Sequence, residues 1–459
     1  MNPRSPARPP WRLTPEEAQA LPVLWRGDVL VVGGGSAGCA AATAAARSGA
    51  RTLLVEATGF LGGTGAAVLD TFYGFYAPGR SDRVAGGIGW ELCERLFARE
   101  QAFERPNTYG AGTGVTYEPE ALKLVWDELT EEAGVATLLH AGVSRVVMDG
   151  DRIIEVVAET KTGSVRLAAT VIVDASGDAE VAWRAGAALE RPDGQQRVQP
   201  LTATFRLGNV DLATTPTPEM HRLMREAAGS GDFALPRTEG SAHRTVLPRV
   251  VHTNMTRVSD VNPLDPWELS AAEREGRRQV HEYVRFLKSR VPGYAESYLI
   301  GVSSRIGVRE SRRLIGRYVL TRDDVLSARR FPDEIAQCGA PIEDHAAGSS
   351  TIWQYVGGDG EPTGMTYGVP FRSLLPQDVS GLLVAGRCLS ATHDAHASIR
   401  SMAQCMAMGQ AAGTAAALAT SSGRSPADVD VADLRRALED GGALLDQPSS
   451  VCADGRVSP

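Results

Sequence analysis

What this chain has little of narrows it first. Its six cysteines (Cys39, Cys93, Cys338, Cys388, Cys405 and Cys452) are scattered with no C-x-x-C pair. Their spacing therefore points to neither a zinc site nor a disulfide framework. No run of 18 or more apolar residues occurs, so no membrane-spanning helix is expected. Cationic residues are not in excess. The 47 Lys and Arg face 55 Asp and Glu, a formal net charge of −8, whereas a general nucleic-acid binder needs concentrated positive charge. The first 26 residues carry arginines and prolines but neither a signal-peptide apolar core nor a twin arginine. These absences predict a protein of a reducing cytoplasm that handles a small molecule, with neither nucleic acid nor membrane as partner. A homo-oligomer stays open.

What is present is ordinary in bulk and unusual in arrangement. Apolar residues at 43% and charged residues at 22% describe a globular chain, and 459 residues predict two domains rather than one core. The organising stretch runs from Asp28 to Gly49. The apolar run Val29 to Val32 reads as a buried strand, Gly33, Gly35 and Gly38 follow in the order G-x-G-x-x-G, and an Ala-rich helix starts at once. The first glycine permits the tight turn and the second lets backbone approach a diphosphate. The third lets helix and strand pack closely, with the phosphate charge on the helix N-terminus. A second strand, Arg51 to Val55, ends in Glu56, 18 residues past Gly38. That carboxylate is placed to accept both hydrogen bonds of an adenosine ribose. The glycine cluster Gly59, Gly62, Gly63 and Gly65 then reads as a loop whose N–H groups fold over the cofactor.

Farther along, Tyr117-Glu-Pro119-Glu120 opens a helix ending near Ala133, with Pro at an early position. A strand from Val135 to Ala141 and a three-stranded meander follow, its hairpin signalled by Asp149-Gly150. Thr170-Val-Ile-Val-Asp174-Ala175-Ser176-Gly177-Asp178 is another apolar strand ending in a glycine turn. From about Glu190 to Thr366 the texture turns charged and proline-rich. This region is predicted to hold a long amphipathic helix with Val280, Tyr283, Val284 and Leu287 on one face, then strands at Ser297–Ile306 and Arg313–Leu320. From Tyr367 the early character returns. Gly381-Leu-Leu-Val-Ala-Gly386-Arg387 is a third apolar strand with a glycine turn, and a small-residue helix runs from Met406 to Thr420. A terminal helix is expected at Val431–Leu438.

The glycine opening with Glu56, the Val-Asp-Ala-Ser-Gly-Asp strand and the Leu-Val-Ala-Gly-Arg strand with its helix together resemble flavoproteins of the glutathione-reductase-like class. More narrowly, Gly381–Ala419 is similar to the C-terminal signature of the FAD-dependent oxidoreductase family, related to fumarate reductase and succinate dehydrogenase flavoproteins. Gly307-Val-Arg309-Glu-Ser311-Arg312-Arg313 and Tyr367-Gly-Val-Pro-Phe-Arg372 carry the same likeness.

The resemblance implies an α/β fold: a Rossmann-like FAD-binding domain with parallel sheet and β-meander, plus an inserted α+β substrate domain. The expected organisation is a tail at 1–26, the FAD-binding domain at 27–190 and 367–425, the insertion at 191–366 and a C-terminal tail at 426–459. It implies that Gly33, Gly35, Ser36, Ala37 and Gly38 hold the pyrophosphate and Glu56 the ribose. Gly62, Gly63 and Thr64 would lie along the pyrophosphate and isoalloxazine, and Val143 would meet the adenine edge with backbone groups. Ala175, Gly177 and Asp178 would form the adenosine-side turn, with Gly386 and Arg387 the ribityl-side turn. The segment from Ser398 through Arg400 to Met402 would set a helix N-terminus beside the flavin's pyrimidine end, where reduced flavin gathers negative charge. The substrate-binding His and Arg pattern of fumarate reductase has no full match here.

For the chemistry, His393 stands out because it follows a cofactor turn and imidazole is the side chain suited to acid–base work near neutral pH. Arg309, Arg312 and Arg400 are candidates to clamp a carboxylate or polarise a carbonyl. Arg309 and Arg312 on one strand would face opposite sides, so one at most should meet substrate. His345, in an insertion loop, reads more readily as a surface residue, and Cys388 as a buried structural one. The leading expectation is an FAD-dependent dehydrogenase, oxidase or reductase of a small organic molecule, by hydride transfer at flavin N5. An FAD enzyme with a net non-redox reaction (isomerisation or elimination) is the alternative. A nicotinamide enzyme fits worst, because no second G-x-G-x-x-G follows a strand in mid-chain. Electrons would then pass to or from substrate, dioxygen, a quinone or a partner protein.

Overall fold

The run Val29 to Val32 lies within 5% of complete burial because a strand of the sheet stands on either side of it. In the computed structural model, which describes residues 9–106, 110–191, 198–345, 351–358 and 360–445, it ends the strand Val23–Val32. Val29 to Val32 pair in parallel with Thr52–Val55 on one side and with Val171–Asp174 on the other. The central eight-stranded sheet continues through the meander Gly142–Asp149, Arg152–Thr160 and Gly163–Asp174. One strand serves both parts. The first half of Gly163–Asp174 pairs antiparallel with the meander, while its last three residues pair in parallel with Leu382–Val384. The returning segment therefore joins the sheet beside the strand that carries Asp178.

Over this sheet the helix Ser36–Arg47 packs against the closing helix Met402–Ser422. The small residues seen in the sequence permit contact at backbone distance. A Cβ on Gly409 would stand 2.0 Å from the Ala37 carbonyl oxygen, and one on Gly413 2.0 Å from that of Ala41. The i,i+4 spacing of both pairs puts them on matching helix faces.

The insertion has its own antiparallel sheet, in the order Ser241–Arg244, Val251–Asn254, Phe205–Gly208, Tyr298–Val302. It is backed by Thr217–Ser230 and Pro266–Arg290. Asp265 caps the longer helix by accepting from the Trp267 and Glu268 amides. Val280, Tyr283 and Leu287 are buried in a core separate from the main one, and Val284 packs against it partly buried.

Three boundaries differ from expectation. The N-terminal tail is not free, since Arg12–Leu13 adds to the sheet edge in parallel with Val146–Val147 and Trp11 stacks on Trp183 at 4.7 Å. The insertion ends earlier than 366. Arg313–Leu314 pairs with Leu189–Glu190, and Leu320, Val325, Phe331 and Ile335 already join the main core. Apolar burial, rather than charge texture, marks the return. Lastly, Val431–Asp440 is no tail, because Leu434 and Leu438 are fully buried in the main core. In the predicted Arg313–Leu320 strand, continuous pairing covers Arg313–Leu314, with isolated bridges at Gly316 and Leu320. Residues 1–8 and 446–459, Cys452 included, lie outside the described residues. No helix among those described is long and apolar enough to cross a membrane.

The helix contact yields a direct prediction. Gly413→Ala should lower stability to chemical denaturation by about 1–3 kcal/mol, the cost of overpacking a fixed contact. Gly229→Ala, in the helix Thr217–Ser230 with open space around its Cβ, should be neutral or stabilising by roughly 0.5 kcal/mol.

Candidate functional site

A cavity of about 870 Å³ runs from the glycine turn to the sheet of the insertion. At its first end the turn after Val32 is built from residues that tolerate no side chain. Gly33 has φ +99°, and a Cβ there would stand 2.6 Å from the Ala175 carbonyl oxygen. A Cβ on Gly38 would stand 1.7 Å from the Gly33 carbonyl oxygen. Gly38 thus builds the turn from behind without lining the cavity, whereas Gly33, Gly35, Ser36 and Ala37 do line it. Glu56 reaches the same turn, accepting from the Gly34 amide at 2.6 Å and the Thr58 amide at 2.8 Å.

The later predicted residues converge here. Gly63, Thr64, Val143, Ala175, Gly177, Asp178, Gly386, Arg387, Arg400 and Met402 all line the cavity. Gly62 does not; its amide donates to the Gly34 carbonyl at 2.8 Å and ties the two glycine loops together. Asp178 and Arg387, far apart in sequence, form an ion pair at 2.8 Å, so the turns expected on the adenosine and ribityl sides are locked to each other. Ser398 is buried in the wall, sharing a 2.7 Å hydrogen bond with the Tyr367 hydroxyl and donating to the Ala340 carbonyl.

The catalytic expectations divide. His393 is not among the cavity-lining residues. At the start of the helix His393–Ile399 its Nδ1 meets Glu310 at 2.9 Å and its Nε2 stands 3.6 Å from Asp344. The cofactor turn lies close in sequence, but the first turn of the helix aims the ring at these acids instead. Arg309 does line the cavity, where its Nη1 donates to the Pro200 carbonyl and the Thr202 hydroxyl, each at 2.6 Å. Arg312 sits elsewhere, 4.3 Å from the centre of the Trp183 ring and donating to the Asp178 carbonyl at 3.0 Å. Arg400 lines the cavity with its Nε buried and unpartnered.

His345 corrects the surface reading. It is buried, lines the cavity and shares a 2.8 Å hydrogen bond with the Thr351 hydroxyl. Its Nε2 meets Glu343 at 3.1 Å. Burial pushes the His345 imidazole down to about 4. Burial alone would raise the Glu343 carboxyl, but His345, Arg400 and Arg309 outweigh it and hold it at about 2. At neutral pH a neutral ring therefore donates to an ionised carboxylate. Cys388 is buried, as expected.

Sequence reading missed the far end. Asp70, Tyr73, Arg105, Arg237, His243 and His252 all line the cavity there. Asp70 is 1% exposed and its Oδ1 lies 2.9 Å from His243 Nε2. Burial would raise its carboxyl, but His252, His243 and Arg206 outweigh that and hold it well below the carboxylate range. Burial also lowers His252 to about 4. The available signal was weak: an acid inside the apolar run Val68-Leu69-Asp70, and two histidines nine apart that a hairpin makes direct cross-strand neighbours.

A family described as FAD dependent oxidoreductase matches residues 28–438. Among solved structures, a flavin-dependent brominase is 12% identical, covering 90% of this chain and 83% of its own, with a TM-score of 0.46. A p-nitrophenol 4-monooxygenase from Pseudomonas putida is 11% identical, covering 91% and 87%, at 0.46. A geranylgeranyl bacteriochlorophyll reductase-like protein from Thermoplasma acidophilum is 14% identical, covering 91% and 83%, at 0.43. These scores are too low for any of the three structures to carry an argument.

FAD fits the residues present. The cavity has a glycine cradle and the N-terminus of Ser36–Arg47 at one end, with Glu56 beside them. Ser401, Met402 and Cys405, at the start of the closing helix, line it farther on. Gly33→Val should purify with FAD occupancy at least about tenfold lower, read from the visible flavin bands, because a side chain there is strained as well as clashing.

A pH dependence follows from the two buried rings. Both His252 and His345 titrate lower in the folded chain, at about 4, than an ordinary histidine near 6.5. As pH falls below about 6.5 the unfolded chain binds protons first, so stability present above that pH is lost progressively toward 4. Denaturant unfolding should show a loss of about 2 kcal/mol per ring between pH 7 and 5, and His252→Gln should remove part of it.

Proposed function

The chain belongs to the FAD-dependent oxidoreductase family, and we propose that within it this protein oxidises or reduces a small carboxylate-bearing molecule held by Arg309 and Arg400. The observation that carries this reading is the state of those two side chains. Both guanidinium groups line the cavity, and neither has a carboxylate partner within ion-pair distance among the described residues. Burial pushes both downward from the usual arginine range, and for Arg309 the neighbouring Arg400 charge adds to the effect. A half-buried guanidinium without a counter-charge is destabilising, which a bound carboxylate would offset through charge-assisted hydrogen bonds.

FAD, when bound, supplies a two-electron centre that exchanges hydride at flavin N5. The chain's own part is to bind and orient. Arg309 reaches the cavity from the returning end of the insertion, anchored by the Pro200 carbonyl and Thr202 hydroxyl. Arg400 immediately precedes the closing helix, with its Nη2 3.4 Å from the Glu343 carbonyl. Arg105 and Arg237 add positive charge on the same wall. Glu343 limits the total, leaving the site net positive toward a substrate carboxylate.

The test is anaerobic bleaching of the flavin by a panel of small carboxylates and their amides. Carboxylates should bleach it and amides should not. Arg309→Lys and Arg400→Lys should each raise the half-saturating concentration about 10–100-fold, the value of one or two charge-assisted hydrogen bonds. Equal bleaching by the amides would remove the clamp. Turnover of a carboxylate without bleaching at any stage would instead favour the non-redox alternative.

A further inference from the structure

We propose that His243, oriented by Asp70, is the residue that takes a proton from the substrate's O–H or N–H group, so that the substrate is a hydroxy or amino acid. The proposal rests on the carboxylate reading above and adds the second functional group. His243 lines the cavity with its side chain 14% exposed. Its Nε2 is committed to Asp70 at 2.9 Å, with the Thr71 hydroxyl at 3.4 Å. Asp70 is ionised and only accepts, so Nε2 carries a hydrogen, and in the neutral ring the lone pair lies on Nδ1. Nδ1 has no hydrogen-bond partner among the described residues.

His252 supplies an independent observation. It is the cross-strand partner of His243, ring centres 5.4 Å apart. Its residue is 4% exposed and lines the same cavity, yet neither of its ring nitrogens has a hydrogen-bond partner among the described residues. Its Nδ1 stands 3.7 Å from the second Asp70 oxygen, which is itself unpartnered. Buried polar atoms are rarely left unsatisfied. A substrate bearing a hydroxyl or amine brings both a donor and an acceptor to this corner.

The position suits the chemistry. Asp70 follows the segment Thr64–Ala67, and the Thr204 hydroxyl and Ser304 amide of the insertion dock on the carbonyls of Val68 and Ala67. Tyr73, three residues on, accepts the Ala403 amide of the closing helix at 3.3 Å. Tyr73 lines the same cavity as Arg309, Arg400, Asp70 and His243, so the carboxylate clamp and the His243–Asp70 pair face one space. The step balances. A bound FAD would supply the acceptor for the substrate's C–H hydrogen and its two electrons, while His243 Nδ1 would take the O–H or N–H proton, leaving a carbonyl or imine. The reverse reaction returns the proton. Beside Asp70, Tyr73 and His252, the charged groups at this corner include Arg105, Arg237 and Arg206, the last paired with Glu118 at 3.0 Å.

The test uses holoenzyme. Nitrogen-15 NMR of histidine-labelled protein at neutral pH should read His243, assigned by His243→Asn, as the Nε2–H tautomer. An Nδ1–H tautomer overturns the proposal. In anaerobic flavin reduction by lactate, malate and glutamate, His243→Asn and His243→Gln should cut the limiting rate 10²–10⁴-fold. The half-saturating concentration should stay within about threefold, and the fall in rate on the acidic side should vanish. If both variants keep wild-type FAD content, rate and pH profile, the proposal is wrong. If no probe bleaches wild-type flavin while the tautomer is Nε2–H, the reading of the substrate as a hydroxy or amino acid fails and the orientation of His243 by Asp70 stands.

Discussion

Two helices in backbone contact hold this structure's site together. Gly409 and Gly413 of the closing helix lie over the carbonyls of Ala37 and Ala41 in the helix that follows the glycine turn. No other residue type allows that approach, since any Cβ would occupy the space of an oxygen atom. The contact sets where the N-terminus of each helix falls, and residues from both helix starts line the same cavity. The Asp178–Arg387 ion pair and the Gly62 amide on the Gly34 carbonyl repeat the pattern on a smaller scale. Each joins chain segments that lie along the cofactor path to one another, so the cavity wall keeps one shape.

At the other end the principle is electrostatic. The insertion and the segment Asp70–Arg105 bring buried arginines, acids and histidines to one wall. Several of their polar atoms have no hydrogen-bond partner among the described residues: Arg400 Nε, one Asp70 oxygen and both His252 nitrogens. Such groups cost stability unless something completes them. The first end is built around glycines and the second around ionisable side chains, some of whose polar atoms have no hydrogen-bond partner among the described residues. A long cofactor and a small polar substrate are what these two walls suit.

How much of this was legible depended on whether the signal was local. Gly33, Gly35 and Gly38, Glu56, the Asp149-Gly150 hairpin and the helix at Pro119 declared themselves because their physics is decided within a few residues: a turn, a cap, a strand edge. Val143, Gly386 and Met402 were reached only through resemblance, since nothing in their neighbours requires a cofactor. His393 misled for the same reason. Its position beside a glycine turn suggested the cavity, yet the first turn of its helix points the ring at Glu310 and Asp344. His345 erred the other way, a loop histidine buried by contacts with Glu343 and Thr351.

The sequence by itself determined that this is a dinucleotide-binding α/β chain with an insertion, and that apolar strands ending in glycine turns recur far apart along it. Glycine order, hydrophobic runs and strand-terminal acids follow from backbone sterics and short-range burial, which act along the chain. Only the tertiary structure decided which ionisable groups share a site. Charge acts through space, so Asp70, His243 and His252 become one unit only when a hairpin and a docked insertion bring them together.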